Sequence, residues 1–180
     1  MRIIAGAWRG RPIDAPTGHG TRPTSDRARE GLFSMLTSRL GSFEDLQVAD
    51  LFAGTGALGL EALSRGAAHC SFVERDRGAL EILKRNVERL GAKDRADIRA
   101  QMVEHAAPPA RPFDLVLIDP PYRTDLAAAA LDRIVQPGWL ASGAWVSVET
   151  MEPLAAPPDG LTVDTERRFG KALITLLLAG

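Results

Sequence analysis

Two periodicities alternate along the chain. Short apolar runs are followed by longer stretches in which apolar residues return every three to four positions. Val48 to Phe52 predicts a strand, with a helix after it to about Arg65. His69 to Glu74 predicts a second strand. Arg77 to Leu90 predicts a helix, with Leu80, Leu83, Val87 and Leu90 on one side and Gly91 as its stop. Ala96 to Ala100 is a weak third strand, and Pro108 to Pro112 is loop. Phe113 to Ile118 is continuously apolar apart from Asp114, the mark of a strand buried on both faces. An alanine-rich helix follows from about Asp125 to Val135. Trp145 to Glu149 is a further strand, and Pro153 to Gly160 is loop. Leu161 to Phe169 and Ala172 to Leu178 read as two closing strands joined at Gly170.

The first third of the chain is patterned differently. Met1 to Ile13 is expected to form a short hairpin, two apolar pieces around Gly6 to Gly10. Trp8, between Arg9 and Arg11 in this piece, could stack on a base or sugar or pin the hairpin to the body. Asp14 to Thr24 has the Pro, Gly and Thr content of a loop. Thr24 or Ser25 can cap a helix whose apolar face is Ala28, Leu32, Met35, Leu36 and Leu40, stopped by Gly41. Repeated strand–helix units imply an α/β fold, a mostly parallel seven-stranded sheet with helices on both faces and ligands at the carboxyl ends of its strands.

Length adds that the 180 residues fit one domain, 1–180, with a real core. Charge adds more. The formal charge is −1, yet residues 1 to 39 carry seven arginines against Asp14, Asp26 and Glu30, so the remainder is net acidic. A basic N-terminal arm over residues 1–24 on an acidic body predicts that the arm meets an anion. Cys70 is the single cysteine, which excludes an intrachain disulfide and a multi-cysteine zinc site. The three histidines are scattered, so no metal is expected. No stretch approaches a membrane span, and the chain reads as cytoplasmic.

Four features should meet at one edge of such a sheet. The first is Gly54-Thr55-Gly56-Ala57-Leu58-Gly59, a strand–turn–helix junction where glycines let a ligand approach the main chain. The second is Glu74, 20 residues past Gly54, placed to accept from both ribose hydroxyls of an adenosine. The third is Asp119-Pro120-Pro121-Tyr122, directly after the buried strand. The prolines stiffen the loop and remove two donors. The Asp119 carboxylate and the Pro120 carbonyl then form an acceptor pair for the two hydrogens of an exocyclic amine, and Tyr122 can stack on the ring bearing it. The fourth is Asp50, an acid beneath the glycine turn. It suits a cofactor with a cationic end and repels a pyrophosphate, which favours S-adenosylmethionine over NAD.

The set D-x-x-x-G-T-G, E-R-D and D-P-P-Y resembles the class I (Rossmann-like) amino methyltransferases that use S-adenosylmethionine. The N-terminal R-I-I-A-G-x-W-R-G-R and R-P-T-S-D-R-x-R-E-x-L-F, with the closing F-G-K-A, resemble the bacterial RsmD family, from Arg2 to about Leu178. That family methylates the N2 amine of a guanine in small-subunit (16S) ribosomal RNA, within the small subunit or an assembly intermediate. The resemblance implies that Asp50, Gly54 and Gly56 hold the methionine end and Glu74 the ribose, with Phe52 also among the cofactor-binding residues. It sets Arg22 and Thr24 beside the cofactor, with the adenine amine met by the main chain near Val103 or by Gln101, and Arg75 is a further cofactor-binding candidate. Asp119, Pro120, Pro121 and Tyr122 would hold the guanine, which must leave its stack. Arg9, Arg11, Arg22, Arg27 and Arg29 would meet phosphates, with Arg167, Arg168 and Lys171 as second-rank candidates.

Other targets share the same amine grip, namely DNA adenine N6 and protein glutamine N5. The chain has no room for a separate sequence-reading domain, and glutamine methylases usually carry Asn where Asp119 stands. A dehydrogenase and an RNA-binding assembly factor with dispensable methyl transfer are the remaining readings.

Overall fold

Apolar runs become strands and periodic stretches become helices in the computed structural model, which describes residues 1–16, 26–121 and 124–180. In chain order the elements are α1 (Asp26–Leu40), β1 (Gln47–Leu51), α2 (Ala57–Ser64), β2 (His69–Glu74), α3 (Arg77–Leu90), β3 (Ala96–Ala100), β4 (Phe113–Ile118), α4 (Thr124–Ile134), β5 (Leu140–Thr150), β6 (Leu161–Phe169) and β7 (Ala172–Ala179). The strands form one sheet of order β3-β2-β1-β4-β5-β7-β6. Strands β1 to β5 run parallel, and β7 is antiparallel to both β5 and β6. The reversal at β7 follows from a two-residue turn, Gly170-Lys171, in which Gly170 has φ +63°.

Three local departures from the pattern have visible causes. Phe52 was expected at the end of β1 but leaves the strand with φ +63°. Strand β5 begins at Leu140 rather than Trp145, with a register shift against β4 and Gly143 at φ +74° absorbing the extra residues. The Met1 to Ile13 segment closes as a folded-back loop with a single bridge, Arg2 to Pro12, tied by Ile3 N–H to Arg11 O at 3.0 Å and Ile13 N–H to Met1 O at 3.0 Å.

Alternate residues of β4 feed opposite cores. Leu115 and Leu117 pack with Leu60, Leu63, Phe72 and Leu83 beneath α2 and α3, while Val116 and Ile118 pack with Ala127, Leu131 and Ile134 of α4. This is why the run is apolar from Leu115 to Ile118.

The N-terminal segment belongs to the first of these cores, with Ile3 and Ile13 buried. Trp8 is 9% exposed and Arg95 lies 5.0 Å over its ring, so it pins the segment and is not presented to a base. Buried Glu61 of α2 holds the segment's main chain, accepting from Ile4 N–H at 2.8 Å and Ala5 N–H at 3.0 Å, and also from Arg65 at 2.9 Å. Ser64 accepts from Trp8 N–H and donates to Ala5 O. A side chain at Gly6 would collide with the Ser64 carbonyl, so only glycine permits this approach.

Removing the Glu61 carboxylate leaves the partly buried Arg65 without its ion-pair partner and two main-chain donors unbonded. Glu61→Ala is therefore expected to lower unfolding free energy by about 3–5 kcal/mol. Chemical denaturation measures this, and hydrogen exchange at Ile4 and Ala5 should quicken alongside.

Candidate functional site

The site is built on the junction of β1 and α2. Phe52 takes a left-handed conformation that costs a non-glycine residue about 1–2 kcal/mol. It swings the chain off the sheet edge, where Ala53 N–H is bonded to Val73 O and Gly56 N–H to Ala53 O. The three glycines are required for different reasons. Gly54, at φ +56°, would meet nothing closer than 4.0 Å with a side chain and faces open space. Gly56, at φ +83°, sits against Leu83, and Gly59 packs on Phe72 and Cys70 at distances no Cβ could share.

Asp50 lies beneath this turn, 1% exposed, with Oδ2 accepting the Gly59 N–H at 2.8 Å. Burial pushes its carboxyl well above the usual range. The Gly59 bond opposes the shift, and the carboxylates of Asp119 and Glu74 add to it. Glu74 ends β2. Its Oε2 accepts from Gly54 N–H at 2.8 Å, and its Oε1 accepts from Arg75 N–H at 2.7 Å and Asp76 N–H at 2.8 Å. A carboxylate has about four acceptor positions, so three main-chain donors fix its orientation and leave about one to spare.

Asp119, Pro120 and Pro121 follow β4, with Asp119 N–H directed at Leu51 O at 3.4 Å. They line one cavity of about 640 Å³ together with Asp50, Gly54 and Glu74. Phe52, Arg75, Gln101 and Val103 line it as well. Arg22, Thr24 and Tyr122 lie outside the described residues. The cavity wall includes three acids that the sequence pattern does not single out, Asp76, Glu104 and Glu149. Glu149 was findable, because it lies at the end of the strand parallel to and beside β4. Among the described residues no three His, Cys, Asp or Glu side chains are arranged to hold a metal ion. Acids gathered on a mostly apolar wall favour a cationic ligand and disfavour a pyrophosphate.

Asn86 of α3 was also missed, and it joins three parts of the chain. It is fully buried. Its Oδ1 accepts from Asp14 N–H at 2.8 Å, and its Nδ2 donates to Asp14 O at 3.1 Å and to Thr55 O at 3.0 Å. The N-terminal segment and the glycine turn are thus held by one amide.

The arginines expected to meet RNA separate into two groups. Arg9, Arg11 and Arg27 are exposed. Arg29 is not available: its side chain is 0% exposed and donates to Arg2 O and Asp26. Burial pulls its guanidinium below its ordinary value, with Asp26 and Glu61 opposing. The α1 position that spaces it with the basic residues also turns it inward.

The family model described as Conserved hypothetical protein 95 matches residues 1–178. Ribosomal RNA small subunit methyltransferase D of Escherichia coli K12 is 40% identical over 150 residues, covering 83% of this chain and 74% of that protein. The protein of the same name from Haemophilus influenzae is 37% identical over 166 residues, covering 87% and 83%. The solved structure of Escherichia coli yhhF matches with TM-score 0.87 at 35% identity, covering 99% of this chain and 97% of that one. A solved protein from Thermus thermophilus matches with TM-score 0.80 at 30% identity, each chain covered to 98%. The architecture is the class I methyltransferase fold anticipated from the sequence.

The buried acid and the buried amide each carry an expected outcome. In the unfolded chain Asp50 ionises near pH 3.9, whereas in the fold it holds its proton to much higher pH. Stability is therefore lost as pH rises above the unfolded value. Asp50→Asn is expected to stabilise the ligand-free protein, with the gain widening from about pH 4 to about pH 7 in urea titrations. Asn86→Ala leaves Thr55 and Asp14 groups unbonded at up to three places. It is expected to cost about 1–3 kcal/mol, read by the same titrations.

Proposed function

The chain belongs to the RsmD family, and from that premise we propose that it methylates the exocyclic N2 amine of a guanine in small-subunit (16S) ribosomal RNA, with S-adenosylmethionine as donor. The observation that carries this reading is one cavity shared by the acid-and-proline loop Asp119-Pro120-Pro121 and the acids around the glycine turn.

The residues present fit the donor. S-adenosylmethionine, when bound, supplies a methyl group made electrophilic by its positively charged sulfur. Asp50, Gly54 and Gly56 would hold its methionine end, where a cationic amine would favour the ionised form of Asp50 that burial alone disfavours. Glu74, with its remaining acceptor position, would take a ribose hydroxyl. Phe52, Val103 and Gln101 would bound the adenine, with Arg75 at the rim.

On the substrate side the chain supplies orientation and charge. The Asp119 carboxylate and the Pro120 carbonyl accept the two amine hydrogens, drawing the nitrogen lone pair out of conjugation and aiming it into the cavity. Asp119 also supports the positive charge that develops on nitrogen. Tyr122 is assigned the stacking role by the D-P-P-Y motif. The guanine must leave its stack, at a cost of a few kcal/mol, and phosphate contacts from Arg9, Arg11, Arg22 and Arg27 offset it.

Incubation with labelled S-adenosylmethionine and small subunits lacking the modification, then nucleoside analysis, is the direct test. Label should appear on N2 of guanosine, and label on adenosine would overturn the substrate. Asp119→Ala is expected to lower kcat by about 10²–10³-fold while subunit binding persists. Equal loss of binding and turnover would count against the amine grip.

A further inference from the structure

We infer that Arg85 and Arg89, which meet at Asp14, together with Arg11 on the last turn of α3, form a binding site for a backbone phosphate of the RNA flanking the target nucleotide. This rests on the RNA substrate proposed above and adds to it a site on α3.

The convergence is geometric. Arg89 makes a two-point contact with Asp14, Nη1 to Oδ1 at 2.6 Å and Nη2 to Oδ2 at 3.2 Å. Arg85 Nε stands 3.7 Å from the same carboxylate. Arg11 donates to the Arg89 carbonyl at 2.6 Å, in the last turn of α3, where the orphan carbonyls and the helix dipole favour a cation. Two guanidiniums therefore meet at one carboxylate, and a third is fixed to the last turn of the same helix. Glu88, the acid adjoining Arg89, is engaged with Lys93 at 2.7 Å.

Arg85 and Arg89 lie four apart on one face of α3, a like-charge spacing that is unfavourable in an isolated helix. Asp14 offsets one charge and leaves an excess of two. The cluster remains open to solvent, with side-chain exposures of 56% for Arg85, 44% for Arg89 and 34% for Asp14. Three guanidiniums carry about fifteen N–H donors in a planar geometry that matches phosphate. Asp14 and one carbonyl engage few of them.

Position makes the occupant specific. Pro16, two residues after Asp14, lines the cavity. Two residues of chain reach at most about 7 Å. A phosphate held here lies close to the stretch of cavity wall that Pro16 forms. The same Asp14 is bonded through Asn86 to Thr55 of the glycine turn, so the cluster sits on the rigid part of the cavity wall.

A purely structural role for these ion pairs predicts that breaking any of them acts in one direction. The phosphate site predicts opposite signs. Binding of unmodified small subunits would be measured from about 50 to about 200 mM salt at fixed Mg²⁺ for the parent, Arg85→Gln, Arg89→Gln and Asp14→Asn. Each arginine variant should lower the salt slope by about 0.7–0.9 and shrink the affinity lost over that range by about threefold. Asp14→Asn should bind more tightly than the parent at low salt, with a steeper slope. Affinity for S-adenosylmethionine, read by calorimetry, should stay unchanged in all three and shows that they fold. Unmoved slopes in the arginine variants, or Asp14→Asn binding no better than the parent, overturn this site while a parent that methylates the subunits keeps the proposed function. A parent that neither binds nor methylates them overturns both.

Discussion

A carboxylate buried under the first turn of a helix is the constraint on which the site depends. Asp50 can occupy the interior of the sheet edge because Gly59 N–H reaches it, and Gly59 can come so near because it has no side chain to strike Phe72 or Cys70. The helix is thereby held hard against β2, the turn before it is forced through the left-handed angles of Phe52, Gly54 and Gly56, and the cavity opens above. Burial of an acid is unfavourable by itself. The ligand-free protein thus favours the protonated acid, and a positively charged ligand would favour its ionised form.

The same logic extends across the cavity. Glu74 is locked by main-chain donors before any ligand arrives, and the loop at Asp119 is stiffened by consecutive prolines and joined to β1. Orientation is thus built in by the backbone. Acids line the cavity, and exposed arginines stand on the N-terminal segment and α3. A substrate whose reacting group is an amine and whose scaffold is polyanionic matches both.

The alternating periods were legible because this sheet keeps its strands short and its helices amphipathic. Strands β2, β3 and β4 and helix α3 fall at the residues the pattern indicated. The glycine turn and the loop after β4 were legible too, since both follow strand ends that share one edge. The sequence did not reveal the polar groups that turn inward. Asn86 sits between Leu83 and Val87 on the apolar side of α3, and Glu61 interrupts an apolar run in α2. A lone polar residue on a buried face is a signal for a clasp, but the partners in the N-terminal segment lie 57 and 72 positions away and have no local signature. Arg29 failed for the converse reason, because it was grouped by charge when its helical phase beside Leu32 and Phe33 placed it inside.

The clasps at Glu61 and Asn86 also impose an order on assembly. Ile4 finds its acceptor 57 positions further along, Asp14 its amide 72 positions on, and Arg11 its carbonyl 78 positions on. A growing polypeptide emerges amino end first. Its opening residues therefore have nowhere to dock until α2 and then α3 have emerged, and closing so long a loop waits on both. The stretch that is made earliest is therefore fastened only after the residues of α2 and α3 that hold it have been made.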